Sequence, residues 1–163
     1  MYREVEPPQH RRVATAVVGQ KRYRLRRRVA AALANGARDD ARLLWREGRR
    51  EGAFLMAIVA VVARARLDFP EPLGEGEAFR RFIESRFRVR LSVEYRGKQW
   101  PIERVFYKWF RCEIVHKGGL PVNIKFKDDA EPDELSVGAG GAPDYELLVS
   151  PGWFEQLLQW ASP

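Results

Sequence analysis

Arg111 and His116 are the residues whose types and spacing suit chemistry on a phosphodiester. Cleavage of RNA by attack of the 2′-hydroxyl needs a base for that proton. It also needs charge stabilisation at the phosphate and a proton for the leaving oxygen. A histidine can serve as base or acid. An arginine fork can hold the phosphate and its developing charge. In an ideal helix five residues turn through about 140° and rise about 7.5 Å. The pair therefore does not share a face, yet the long arginine stem lets both heads converge on one cleft. Glu103 and Glu113 are candidate ion-pair partners for Arg111. Cys112 stands four residues before His116, so a Cys–His nucleophilic dyad is conceivable. An inert core cysteine is the simpler account of it.

The segment that must position the pair is Pro101 to Pro121, PIERVFYKWFRCEIVHKGGLP. Pro101 suits a first helical turn, where a missing N–H costs nothing. Ile102, Val105, Phe106, Trp109 and Phe110 recur as a buried stripe. Gly118 and Gly119 supply the left-handed cap, and Pro121 prevents continuation.

The run RCEIVHKG, from Arg111 to Gly118, resembles the R-x4-6-H motif of the HEPN superfamily, the higher eukaryote and prokaryote nucleotide-binding domains. The segments GAFLMAIVAV, GEAFRRFIESRF and ERVFYKWF are similar to the earlier helices of bacterial HEPN-like proteins of the Apea-like kind. The likeness runs from about Trp45 to the C-terminus. It implies a metal-independent endoribonuclease without a cofactor, acting as a homodimer in a toxin or defence role. Arg111 and His116 from two facing chains would form one composite catalytic site, with an antitoxin or regulatory protein as a further partner. The same resemblance admits a non-catalytic module that binds RNA, a nucleotide or a protein. Cys112 departs from the family pattern, in which a polar residue, often asparagine, follows the arginine. A thiol is a poor hydrogen-bond donor.

Composition narrows the class. At 163 residues with 45% hydrophobic content, the chain is expected to be one globular domain. One cysteine excludes an internal disulfide framework. Two histidines and one cysteine are few for a zinc site, and no metal is expected. The polar start and the short apolar runs predict a cytoplasmic protein without a membrane span. Residues 1–50 carry 14 Lys/Arg against 5 Asp/Glu, and the remainder carries 15 against 17. Arg24, Arg26, Arg27 and Arg28, with Tyr23 among them, are candidate RNA-binding residues. A solvated helical face is the plainer reading of that run. Glycine-rich phosphate loops ending in GK[ST], dinucleotide fingerprints and G-x-S-x-G elbows are absent from the sequence.

The expected fold is mainly α: a HEPN-like helical bundle with a small antiparallel β addition before the C-terminal helix. Residues 1–20 form an N-terminal arm, and residues 21–163 form a single domain. Helices are expected at Lys21–Leu33, stopped by Asn35-Gly36, and from Asp39 to about Leu67. Further helices follow at Glu77–Phe87 and at Pro101 onward. The alternation of Val89, Leu91, Val93 and Tyr95 predicts a strand. The β addition spans about residues 122–149, with strands near 122–126, 135–137 and 145–149 and a loop over 138–143. Ser150 is the expected N-cap of a last helix ending at Trp160.

Overall fold

The computed structural model describes residues 10–69, 72–87, 90–121, 123–128, 131, 133–140 and 146–163, with side chains from residue 23 onward. Helix α1 spans His10–Arg46, 37 residues or about 55 Å of rod. It runs straight through Asn35-Gly36, where the sequence pattern predicts a stop. It also takes in residues 10–20 of the expected arm. Residues 1–9 lie outside the described part. The local cost of Gly36 in a helix is about 1 kcal/mol. Burial of Ala34, Ala37 and Ala41 along one face outweighs it. The break falls at Gly48 instead, where φ is +73°.

Helix α2, Arg50–Asp68, returns along α1 and occupies the centre. Its apolar surface nearly all round fits that place: Phe54, Ala57, Ile58, Val61 and Ala65 are fully buried. Helix α3, Glu75–Arg86, packs beside it. A hairpin follows, β1 Ser92–Tyr95 and β2 Lys98–Pro101, paired antiparallel with Val93 opposite Trp100. Arg96 and Gly97 both have positive φ, the geometry of a tight hairpin turn. The sequence pattern marks β1 but hides β2, whose Lys-Gln-Trp-Pro reads as a turn into the next helix. Val89, the first residue of the expected strand, lies outside the described residues.

The rod over 102–117 comprises α4 Ile102–Val105, a π-helical segment Phe106–Glu113 and α5 Ile114–Lys117. All five apolar residues of the expected stripe are buried. Gly118 closes the rod at φ +77°, and its N–H bonds the Ile114 carbonyl at 2.9 Å.

The β addition is mixed, a correction to the antiparallel expectation. Strands β3 Ile124–Phe126, β4 Val137–Ala139 and β5 Leu147–Val149 lie in the order β3-β5-β4. β3 pairs parallel with β5, and β4 pairs antiparallel. β5 is the most apolar strand. Leu147 and Val149 are fully buried, which fits the central position. Gly138 and Ala139 belong to β4 rather than to the expected loop, and residues 141–143 of that loop, with Tyr145 of the expected strand, lie outside the described part.

Helix α6, Gly152–Trp160, closes the core. Ser150 does not cap it. Its buried hydroxyl donates to the Glu134 carbonyl and accepts the Ser136 N–H at 2.9 Å, tying the β4 approach to α6. Trp153 Nε1–H donates to the Ser136 carbonyl at 3.1 Å. A Cβ on Gly152 would overlap the Glu134 carbonyl oxygen. Gly152→Ala is therefore expected to cost about 2–3 kcal/mol, by overpacking and by loosening these bonds. Gly138→Ala, whose Cβ would meet only the Leu148 Cβ at an ordinary 3.9 Å, is the near-neutral control. Urea unfolding of the two variants checks the contrast.

Candidate functional site

Arg111 stands in the last turn of the π segment and is partly exposed. Its Nη2 forms an ion pair with Glu75 Oε1 of α3, not with Glu103 or Glu113 as the sequence suggests. Glu113 instead pairs with Lys117 at 2.5 Å. The guanidinium lies over the Tyr107 ring, 5.3 Å from its centroid. Tyr107 O–H donates to the same Glu75 oxygen at 3.3 Å. Burial, reinforced by Glu75, pushes the Tyr107 hydroxyl above its usual range, so it stays a donor. Gly76 makes room for this cluster, since a Cβ there would lie 3.0 Å from the Tyr107 ring. The ion pair uses Nη2. The other guanidinium N–H groups have no protein partner among the described residues.

His116 is exposed at the C-terminal end of the rod, with no hydrogen bond or ion pair among the described residues. The following strand approach is pinned nearby: Leu120 N–H donates to Glu51 Oε2 at 3.3 Å, at the start of α2. In the π segment the backbone bonds run i→i+5 instead of i→i+4. His116 lies beyond it, in α5, and no contact joins it to Arg111. Cys112 is half-buried and free.

Two further cations, which the sequence pattern does not single out, extend the line along the rod. Arg104 lies 5.8 Å and Lys108 Nζ 4.9 Å from the centroid of Trp100. Their i,i+4 spacing is visible in the sequence, but the ring beneath them comes from the unforeseen β2. Arg104, Lys108 and Arg111 thus form a cationic edge backed by Trp100 and Tyr107. Cations over aromatic faces suit phosphate attraction together with base stacking.

Beside this edge two adjoining depressions of about 460 and 510 Å³ separate α3 from the start of the rod. They share Arg80, Glu84, Pro101 and Glu103, and Tyr107 walls one end. Arg80 is neutralised by Glu77 at 2.7 Å and Glu84 at 2.6 Å. Burial raises the Glu103 carboxyl above its ordinary pKa; its own backbone N–H opposes this, and Glu84 adds to it. Folding thus penalises ionised Glu103, and the penalty grows as pH rises through the ordinary carboxylate range. Glu103→Gln is expected to raise the melting temperature at pH 7. The gain should shrink as pH falls through and below the ordinary carboxylate range, where the wild-type carboxyl becomes protonated in both states. Melting curves across that range read it directly.

Arg24, Arg26, Arg27 and Arg28 are all exposed on α1. Arg27 lies over Tyr23, 5.8 Å from its centroid. Within one chain they are remote from the Arg111–His116 end. Arg28 is about 27 Å of helix from Arg46, whereas the segment after His116 anchors beside the α1–α2 turn. Among the described residues no group of three or more His, Cys, Asp or Glu is arranged to hold a metal. Among them, no helix is long and apolar enough to cross a membrane.

No curated protein and no solved structure matches the chain. The Rv1289 family model matches residues 39–139, more than half of the sequence. The match runs from the second half of α1 to β4 and includes the whole rod with Arg111 and His116. The chain belongs to the Rv1289 family.

Proposed function

We propose that this chain is an RNA-processing module of the HEPN type, a metal-independent endoribonuclease in which His116 moves protons and Arg111 holds the scissile phosphate. The observation that carries this reading is the end of the rod. Its apolar stripe is buried in the core, yet Arg111 keeps donors open and His116 stands exposed. Packing accounts for the stripe and does not account for the pair.

In this scheme the imidazole takes the 2′-hydroxyl proton, and the oxygen attacks phosphorus in line. The guanidinium carries the growing negative charge. The departing 5′-oxygen, on the opposite side of phosphorus, takes its proton from solvent, and the imidazolium later gives its own back to solvent, leaving a 2′,3′-cyclic phosphate. Glu75 and Tyr107 hold the guanidinium against the rod, so less side-chain freedom is lost on binding. Arg104 and Lys108 continue the track for neighbouring phosphates.

A second reading is favoured by the Glu75 ion pair, which neutralises part of the Arg111 charge. There the same edge binds RNA without cutting it. The test is incubation of the purified chain with varied RNAs in chelator. New ends bearing cyclic phosphate support the nuclease. Salt-sensitive binding without new ends supports the binding module.

A further inference from the structure

Five of the six large apolar side chains exposed among the described residues belong to α1: Tyr23, Leu25, Val29, Leu33 and Leu43. Four of them share a face. At about 100° per residue, Val29 lies about 40° and Leu33 about 80° from Leu25. Leu43, about five turns on, returns to the Leu25 direction. The face that packs on α2, marked by buried Ala34, Ala37 and Ala41, is centred about 150° from Leu25 and about 70° from Leu33. Helix α1 therefore has two apolar faces, and the fold covers one. Exposed Ala32 and Gly36 stand midway along the uncovered stripe.

The charges beside the stripe differ from end to end. Arg24 and Arg28 flank its N-terminal half, while exposed Asp39 and Asp40 flank its C-terminal half. Neither aspartate has an ion-pair partner among the described residues. Arginines are plentiful in the chain, so these two acids stand out.

We propose that two copies of this chain pair antiparallel through the outer faces of α1, about a twofold axis close to residue 34. Leu25 of one copy then packs on Leu43 of the other. Ala32 meets Gly36, and small residues at the crossing let the rods approach closely. Arg28 faces Asp39 along one flank. The contact is isologous and closed. Parallel pairing would instead set arginines against arginines. A lipid surface suits the leucines and arginines but not Asp39, Asp40 and Gly36 within the stripe. A nucleic-acid backbone suits the arginines alone.

The pairing stands on its own observations; only its consequence for the site rests on the RNA-cleaving reading. With residue 22 of the second copy beside Arg46, residues 10–21 of that copy run about 18 Å past the end of α1. That end is the α1–α2 turn, where Glu51 holds the segment following His116. Each α1–α2 turn then lies beside the N-terminal helical segment of the other copy. The two α1–α2 turns fall at opposite ends, about 36 Å apart along α1.

Molar mass by light scattering or sedimentation is the test, and it needs no RNA. Wild type is expected to be dimeric at micromolar concentration. Leu25→Glu and Leu33→Glu, both at exposed positions, should raise the dissociation constant at least about 30-fold with helical circular dichroism unchanged. Asp39→Arg should weaken pairing, and adding Arg28→Asp should restore it. In a Cys112→Ser background, Leu25→Cys with Leu43→Cys should oxidise to a covalent dimer, and Leu25→Cys alone should not. A wild type monomeric at about 100 µM, a dimer indifferent to Leu25→Glu, or cross-linking by Leu25→Cys alone would overturn the pairing. If RNA is never cut but the mass results hold, the nuclease reading fails and the pairing stands.

Discussion

His116→Ala should lower RNA cleavage by about 10²–10⁴-fold, the usual contribution of a positioned general acid–base group. The melting temperature should stay where it is, because the side chain is exposed and unpartnered among the described residues. The loss should fall in kcat, with RNA affinity nearly unchanged, since proton transfer matters only as bonds break. Arg111→Ala should act differently. It removes phosphate charge stabilisation, and it also leaves Glu75 as an uncompensated carboxylate beside Tyr107. Both affinity and turnover should drop. Arg111→Lys tests the fork itself: a point charge keeps attraction but loses the planar donor set. Cleavage assays in chelator, with cyclic-phosphate ends scored, separate these cases. Equal activity in wild type and His116→Ala would end the proton-transfer scheme.

What the sequence makes readable is the order of burial along the rod. Ile102, Val105, Phe106, Trp109 and Phe110 announce a helix and its inward face, and Gly118 announces its end. The π widening is silent, because the same five apolar positions fit either winding. Glu75 is silent for another reason. It is 36 positions from Arg111, and only the packing of α3 against the rod brings them together. Glu103 and Glu113, close in sequence, look like better partners and are not used. The break expected at Asn35-Gly36 misleads because a local cost of about 1 kcal/mol is small beside the burial of a whole helical face. Arg24, Arg26, Arg27 and Arg28 are legible as exposed simply because charge resists burial. The leucines among them are not, since a pattern shows that a face is apolar without showing what covers it.

Phe54→Ala should destabilise the fold by about 3–5 kcal/mol, the range for removing a large aromatic from a closed core. Phe54 has no exposed surface. Its ring lies 4.9 Å from Phe126, 5.2 Å from Phe110 and 6.0 Å from Phe154, centroid to centroid, with Trp45 at 6.2 Å and Phe106 at 6.5 Å. Those five rings come from α1, the rod, β3 and α6. One side chain on α2 therefore joins the bundle to the β addition. Trp45 and Phe154 are already stacked at 4.3 Å, which limits how far the neighbours can collapse into the space. Poor collapse places the cost toward the upper part of the range. At about 2–4 °C per kcal/mol for a chain of this size, melting should fall by about 6–20 °C. Leu25→Ala, on the uncovered face of α1, should lower neither stability nor helix content in the monomer. A Phe54→Ala loss below about 1 kcal/mol would mean that the rings repack freely. The rod would then lack the fixed seat that Arg111 and His116 need, because a shift of about 1 Å at a reacting group can cost as much as 10²-fold in rate.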